Sequence, residues 1–149
     1  MPKFTKLSFY ARTGNLIERK PVKRKVKLRS RGHEGELVKA DFIVRFTNGI
    51  KRYIVTAMDC GNKFAFAYAY ANHASTATVD FLEHFRRVSP FPITHLQTDN
   101  GSEFAKHFDI ALARHNIVHF HTYPRSPKMN SEIERFNRTL VEAFINTHR

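Results

Sequence analysis

Three acidic residues of this sequence occupy positions at which a carboxylate could do chemistry. Asp41 interrupts an otherwise apolar run in a stretch rich in β-branched and aromatic residues. Asp99 follows a second such stretch, and Glu134 lies near the start of an amphipathic segment. A carboxylate inside a strand is costly to bury unless a cation or hydrogen-bond donors compensate it. A bound metal ion explains Asp41 most economically.

A cluster of three carboxylates suits attack on a phosphodiester. Mg²⁺ prefers hard oxygen ligands, and two such ions about 4 Å apart activate the attacking oxygen and stabilise the leaving one. One aspartate would bridge the two ions, while the other aspartate and the glutamate would hold one ion each. The residues therefore predict a two-metal phosphoryl-transfer site.

Each acid also has an ordinary structural interpretation. Asp99 begins an Asp-Asn-Gly sequence that suits a tight turn, and Glu134 is placed to pair with Arg138 four residues later on a helix. Two other acids compete for the site. Asp59 could only cap the turn that follows it, and Glu132 points about 200° away from Glu134 around a helix, so only one of the two glutamates can face the site.

The elements that must position these acids follow from periodicity and turn residues. Period-two patterns and Asn-Gly or Gly-Asn turns predict three successive antiparallel strands. Two helical patterns, each leading into another strand, and one last helix follow. The predicted strands are 37–46, 51–59, 63–70, 93–98 and 117–123, and the predicted helices begin at Ser75 or Thr76, near Phe104 and at Ser131. Strands four and five follow helical crossovers and should be parallel. We expect an α/β fold with a mixed five-stranded sheet flanked by helices.

The positive charge is concentrated at one end of the chain. The 149 residues carry a net charge of +12, and residues 1–32 contain eleven Lys and Arg against one acid. Such a field favours polyanions, most commonly nucleic acid and less often an anionic membrane. We predict a basic arm over residues 1–34, which binds phosphates through Lys23, Arg24 and Lys25 or is a solvated linker, followed by a catalytic domain over 35–149.

Other features bound the class of protein. No apolar run approaches the roughly 20 residues that span a bilayer, no secretory signal is present, and the single cysteine, Cys60, excludes an intramolecular disulfide. We expect a soluble cytoplasmic protein. His119 and His121 lie on one face of a predicted strand. They are either half-buried strand residues or the ligands of a two-histidine metal site. Because the chain stops at Arg149 without a helix cap, we expect the native protein to be longer.

Two motifs carry a resemblance to a known family. Residues 96–104, Leu-Gln-Thr-Asp-Asn-Gly-Ser-Glu-Phe, are similar to the T-D-N-G-x-E-F signature, and residues 127–140, Pro-Lys-Met-Asn-Ser-Glu-Ile-Glu-Arg-Phe-Asn-Arg-Thr-Leu, are close to P-x-x-N-G-x-x-E-R-x-N-R-T-L. The 34 residues between Asp99 and Glu134 also fit the family spacing. From about Gly35 to Ile145 the sequence thus resembles the integrase catalytic core of retroviral integrases and bacterial insertion-sequence transposases.

The resemblance implies a ribonuclease H-like fold and a catalytic, metal-binding triad of Asp41, Asp99 and Glu134 with two Mg²⁺ or Mn²⁺ ions. Asp41 matches the first catalytic aspartate by position, whereas Asp59 matches a non-catalytic one. The implied activity is DNA cleavage that exposes a 3′-hydroxyl, followed by transfer of that end to target DNA.

The implied partners are transposon ends, target DNA and further copies of the chain, in the bacterial nucleoid. Arg125, Lys128 and Arg135 are candidate phosphate contacts, with solvated surface charge as the alternative. Two other functions stay open: a ribonuclease H-like nuclease without strand transfer, and a non-catalytic DNA-binding remnant.

Overall fold

The computed structural model of the chain describes residues 32–123 and 125–147. Lys23, Arg24 and Lys25, with most of the predicted arm, lie outside the described residues. The regular elements are β1 (Val38–Thr47), β2 (Ile50–Asp59), β3 (Ala65–Tyr70), α1 (Ser75–Val88), β4 (His95–Thr98), α2 (His107–Arg114), β5 (Val118–His121) and α3 (Ser131–Leu140). None of the helices in this part of the chain has the length and apolar character needed to cross a membrane.

The five strands form one mixed sheet in the order β3-β2-β1-β4-β5. β1, β2 and β3 pair antiparallel, while β4 is parallel to β1 and β5 is parallel to β4. The β1–β2 hairpin closes through Asn48 and Gly49, both with positive φ, as an Asn-Gly turn requires. The predicted α/β class, with a mixed five-stranded sheet flanked by helices, is confirmed.

The two faces of the sheet differ in chemistry because side chains alternate along a strand. Val38 and Ala40 of β1 face α1 and α2, where the apolar core lies. Lys39 and Asp41 face the other side, which α3 crosses. The core residues of the first face include Val55, Ala57, Phe81, Leu82, Phe85, Leu96, Phe104, Phe108 and Leu112. The second face, which holds buried polar groups, is the one that positions the candidate site.

Two helices depart from simple periodicity. The predicted second helix is divided into a short 3-10 turn at Ser102–Phe104 and α2, with Lys106 at φ 47° between them. α3 passes into a π-helical turn, Val141–Ile145, in which the Asn146 N–H donates to the carbonyl of Val141 at 3.0 Å. The hydrogen bond of a π-helical turn spans five residues instead of the four of an α-helix. The turn therefore changes which of the following side chains lie on the apolar side of the helix.

Candidate active site

The strand register brings Asp41 and Asp99 to the same level of the sheet. β1 and β4 run parallel with Lys39 opposite Gln97, so two residues further along each strand lie the two aspartates. Alternation places both on the face that α3 crosses. Thr56 of β2 stands opposite Asp41 on the same face.

α3 fixes the orientation of the Asp41 side chain. The buried Asn137 donates from Nδ2 to Oδ2 of Asp41 at 2.9 Å and accepts at Oδ1 from the Thr56 hydroxyl at 2.7 Å. The other Asp41 oxygen accepts from the Phe42 N–H at 2.8 Å. Asn137 was not among the residues predicted for the site. Its spacing could have indicated this role, because Asn137 lies three residues after Glu134 and residues three apart are neighbours on the same side of a helix.

The charge environment of Asp41 shows which acids surround it. Burial raises the pKa of its carboxyl to about 6; the hydrogen bond from Phe42 opposes this rise, and the negative charges of Asp99, Glu134 and Glu103 add to it. Asp41 therefore lies in the field of the two other predicted acids and of a fourth, Glu103. Glu103 lies two residues after Gly101 in the Asp99 motif, but nothing in its spacing indicated that its carboxylate would turn back toward the site.

The four acids of this cluster lack cationic partners in the described residues. Neither Asp41, Asp99, Glu103 nor Glu134 forms an ion pair with a described Lys, Arg or His, and the alternative pairing of Glu134 with Arg138 is not formed. Other acids in the same part of the chain do have such partners, namely Asp80, Glu83, Asp109 and Glu132. Within the described residues, no cation therefore offsets the mutual repulsion of these four carboxylates.

Glu132, the first competitor, is occupied by a structural network. Its carboxylate accepts from Lys39 at 2.8 Å, from Lys63 at 2.7 Å and from the Cys60 thiol at 3.3 Å. Burial acts to raise its pKa, but hydrogen bonds from the two lysines and the thiol outweigh this and lower it to about 2. Glu132 thus attaches α3 to the sheet and lies away from Asp41.

Asp59, the second competitor, is fully buried at the end of β2. Its two oxygens accept from the backbone N–H groups of Gly35 at 3.1 Å and Asn62 at 2.9 Å. These bonds tie the turn after β2 to the segment before β1. The geometry therefore gives Asp59 the turn-capping role that was its structural alternative.

Asp99 combines a turn role with an open side. Its Oδ1 accepts from the Gly101 N–H at 2.8 Å, as expected of a turn residue. It also lines a cleft of about 330 Å³ together with Asn100, Tyr123, Arg125 and Asn130. Asp99 can therefore shape its own loop and still present carboxylate surface to a ligand in the cleft.

The predicted phosphate contacts in the described part of the chain lie at the surface near this cleft. Arg125 lines it, Lys128 lies in the 3-10 turn Pro127–Met129 that leads into α3, and Arg135 follows Glu134. All three side chains belong to exposed residues. They are accessible to a large polyanion.

Comparison with known families and proteins identifies the family of this core. The model of the integrase core domain matches residues 32–127, a stretch that contains Asp41 and Asp99 and ends before Glu134. A putative integrase, ORF3, of Spiroplasma virus SpV1-C74 is 29% identical over 118 residues, which are 68% of this chain and 33% of that protein. The retrovirus-related Pol polyprotein from transposon TNT 1-94 of Nicotiana tabacum is 30% identical over 97 residues, 63% of this chain and 7% of that protein.

Two solved structures share the fold. An intasome of simian T-cell lymphotropic virus, in complex with PP2A regulatory subunit B56 gamma, aligns with TM-score 0.71 and 18% identity over 87% of this chain and 48% of that chain. The HTLV-2 integrase catalytic core domain in complex with magnesium, in its dimeric form, aligns with TM-score 0.60 and 14% identity over 77% of this chain and 75% of that one. The predicted ribonuclease H-like fold is confirmed.

Proposed function

Because the chain belongs to the integrase core domain family, we propose that it is the catalytic core of a DNA transposase or integrase that cleaves DNA strands and joins them to a target. The observation that carries the proposal is the acidic cluster around Asp41, which has no cationic partner among the described residues. Burial raises the pKa of Asp41 to about 6, and the charges of Asp99, Glu134 and Glu103 add to this rise. The chain spans only 33% and 7% of the two related proteins, so the proposal concerns the core alone.

The donor set of the cluster fits divalent cations with a preference for oxygen. Asp41, Asp99 and Glu134 would hold two Mg²⁺ or Mn²⁺ ions, and Glu103 is close enough to contribute negative charge. Bound ions would activate the attacking oxygen and stabilise the leaving one. The attacking groups would be water in cleavage and a DNA 3′-hydroxyl in joining, so no covalent bond forms between protein and DNA.

The chain itself supplies orientation and electrostatics. Asn137 and the Phe42 N–H fix both oxygens of Asp41 before any ligand binds, which reduces the reorganisation that binding requires. The exposed Arg125, Lys128 and Arg135 would contact phosphates and position the DNA without reading its sequence. Lys23, Arg24 and Lys25 would extend these contacts along the duplex.

The proposed partners are transposon ends, target DNA and further copies of the chain. The comparison structures include an intasome and an integrase core in a dimeric form. By analogy we expect this chain to act as a homo-oligomer on DNA, in the bacterial cytoplasm. Sedimentation of the chain with and without a DNA duplex would measure that assembly.

The activity is tested by nicking and joining of labelled DNA with Mg²⁺ or Mn²⁺, with supercoiled plasmid as a substrate that needs no knowledge of the ends. We expect Asp41→Asn, Asp99→Asn and Glu134→Gln each to lose activity while retaining DNA affinity. Glu142→Gln is the matched control, because Glu142 is an exposed acid on the turn that continues α3.

Other outcomes would select the alternatives. Cleavage without joined products would indicate a ribonuclease H-like nuclease. DNA binding without metal-dependent cleavage, unchanged by Asp99→Asn, would indicate a non-catalytic DNA-binding remnant. Full activity in Glu134→Gln with loss in Glu132→Gln would move the third ligand to the competitor.

A further inference from the structure

A second group of potential metal ligands lies on the opposite face of the sheet from Asp41. The side chains of Asp109, His119 and His121 each offer a ligand atom, and these atoms all lie within 4.8 Å of one another. His119 pairs with Leu96 in the parallel register and its ring contacts Phe108 edge-on. Both neighbours belong to the core against α1 and α2, so the group is separated from the carboxylates by the sheet.

We propose that Asp109, His119 and His121 form a binding site for one transition-metal dication of the zinc class. Two imidazoles and one carboxylate suit Zn²⁺ or Co²⁺ rather than Mg²⁺, which prefers oxygen ligands alone. Three protein ligands also leave a fourth position for water. The site does not depend on the proposed DNA chemistry, and its ligands are distinct from Asp41, Asp99 and Glu134.

Hydrogen bonds already orient both imidazoles as metal ligands require. The Nδ1 atom of His121 lies 3.1 Å from the backbone oxygen of Asp99; a ring held by Nδ1–H in this way presents Nε2 to a metal. The Nε2 atom of His119 lies 2.8 Å from the Thr98 hydroxyl, and its Nδ1 is turned toward Asp109. In each ring one nitrogen can be held by the protein while the other faces the group.

The burial pattern gives the site two fixed ligands and one adjustable ligand. The side chain of His119 is 8% exposed and that of Asp109 is 41% exposed, while His121 is 3% exposed. Tetrahedral zinc with bonds of about 2.1 Å separates its ligand atoms by about 3.4 Å, which is less than the 4.8 Å limit here. Asp109, in the first turn of α2, can move to complete the coordination and provides an entry path from solvent.

The short contact between His119 and Asp109 could instead be a structural hydrogen bond that joins α2 to β5. That arrangement needs no ion, but it does not involve Nε2 of His121, whose ring centroid lies 4.1 Å from that of His119. Two close imidazoles beside one carboxylate are better explained by a shared cation. The two possibilities differ in whether the metal-free chain takes up a stoichiometric ion.

The test is a Co²⁺ titration of the full chain after EDTA treatment, followed by visible absorption. We expect a band that saturates at one equivalent, is displaced by Zn²⁺, and is lost in His119→Gln and in His121→Asn. Asp109→Asn should weaken binding by about tenfold or more. Asp41→Asn, on the opposite face of the sheet, and His84→Gln are the controls and should retain the band; His84 lies beside Asp80 as a more exposed His–Asp pair.

Zn²⁺ should also raise the thermal midpoint of the parent chain but not that of the histidine variants. If a histidine variant fails to fold, Asp109→Asn carries the test, because its side chain is the most exposed of the three. The proposal is overturned if the parent shows no saturable band. A band that survives both histidine variants, or that disappears in Asp41→Asn, places the ion elsewhere and overturns it equally.

Discussion

Replacing Asp41 by asparagine should stabilise the metal-free protein above neutral pH and destabilise it in acid. The raised pKa of Asp41 means that ionising this carboxyl disfavours the folded state. Asparagine removes that ionisation, but it cannot reproduce both hydrogen bonds. The Phe42 N–H and Asn137 Nδ2 each donate to a different Asp41 oxygen, so an asparagine amide would point its own NH₂ at one of these donors.

The two effects differ in size. The folded pKa of about 6 lies roughly two units above the ordinary value of 3.8, and each unit corresponds to about 1.36 kcal/mol. The penalty for a charged Asp41 is therefore about 3 kcal/mol at pH 8. A lost hydrogen bond costs about 1 kcal/mol. The variant should gain about 2 kcal/mol of unfolding free energy at pH 8.

The pH dependence follows from proton binding. Between about pH 4 and 6 the folded parent binds more protons at Asp41 than the unfolded chain does, so the parent's free energy of unfolding falls as pH rises through this window. The variant has no carboxyl at this position and lacks this fall. At pH 4 only about 0.5 kcal/mol of the penalty remains, so the lost hydrogen bond of about 1 kcal/mol leaves the variant less stable by about 0.5 kcal/mol.

Urea unfolding in EDTA at pH 4, 6 and 8 measures the difference in unfolding free energy between parent and variant at both ends of this pH window. Glu142→Gln is the control for loss of one exposed negative charge. Addition of Mg²⁺ at pH 8 should stabilise the parent and not Asp41→Asn. A difference between parent and variant that is the same at pH 4 and pH 8 would show that the pKa of Asp41 is not raised in the folded chain as inferred.

Three further predictions concern positions around the site. Asn137→Leu should lower the urea midpoint through a loss of about 1–3 kcal/mol for each hydrogen-bond partner left unsatisfied. It should also weaken Mg²⁺ binding, measured by calorimetry, because Asp41 loses its donor. An unchanged midpoint and affinity would contradict the positioning role of Asn137. Gly35→Ala should prevent stable folding, since at φ +70° the added Cβ would lie 1.8 Å from a backbone carbonyl oxygen. In Gly49→Ala, at φ +74°, the added Cβ meets nothing within 4 Å, so this variant should lose only about 1 kcal/mol of unfolding free energy. Equal melting temperatures by circular dichroism would refute the distinction. Burial raises the pKa of the Cys60 thiol to about 12, so a thiol reagent at pH 8 should modify the native chain about 10³-fold more slowly than the urea-unfolded chain; similar rates would contradict the burial of this thiol.

Local patterns predicted the sheet well because its turns and alternation are encoded by neighbouring residues. Asn48 and Gly49 specify the hairpin, and helical crossovers specify parallel strands four and five. The register sets Asp41 beside Asp99, and that both serve one metal site stays a prediction. These features depend on residues close in sequence or on general rules of connection.

Long-range contacts could not be predicted in this way. Asn137 reaches Asp41 across 96 positions of sequence, and its role depends on how α3 crosses β1. The apolar side of the last helix is another example. An unbroken helix would place Phe144, eleven residues after Ile133, on the same side, but Phe144 lies in the π-helical turn and is 58% exposed. In α1, Val88 lies three residues after Phe85 and would be expected on the same apolar side, but it is 47% exposed, whereas Phe81 is buried in the core.

The two attachments of α3 to the sheet also restrict rotation of the helix about its own axis. Glu132 is held by two lysines and Asn137 by Asp41 and Thr56, and five residues separate these points by about 140° around the helix. Turning the helix in either direction would break one set of contacts. Glu134 lies between them in sequence and about 60° from Asn137 around the helix. It can therefore be recruited by a ligand only through its own side-chain torsions, at an entropic cost of no more than about 2 kcal/mol.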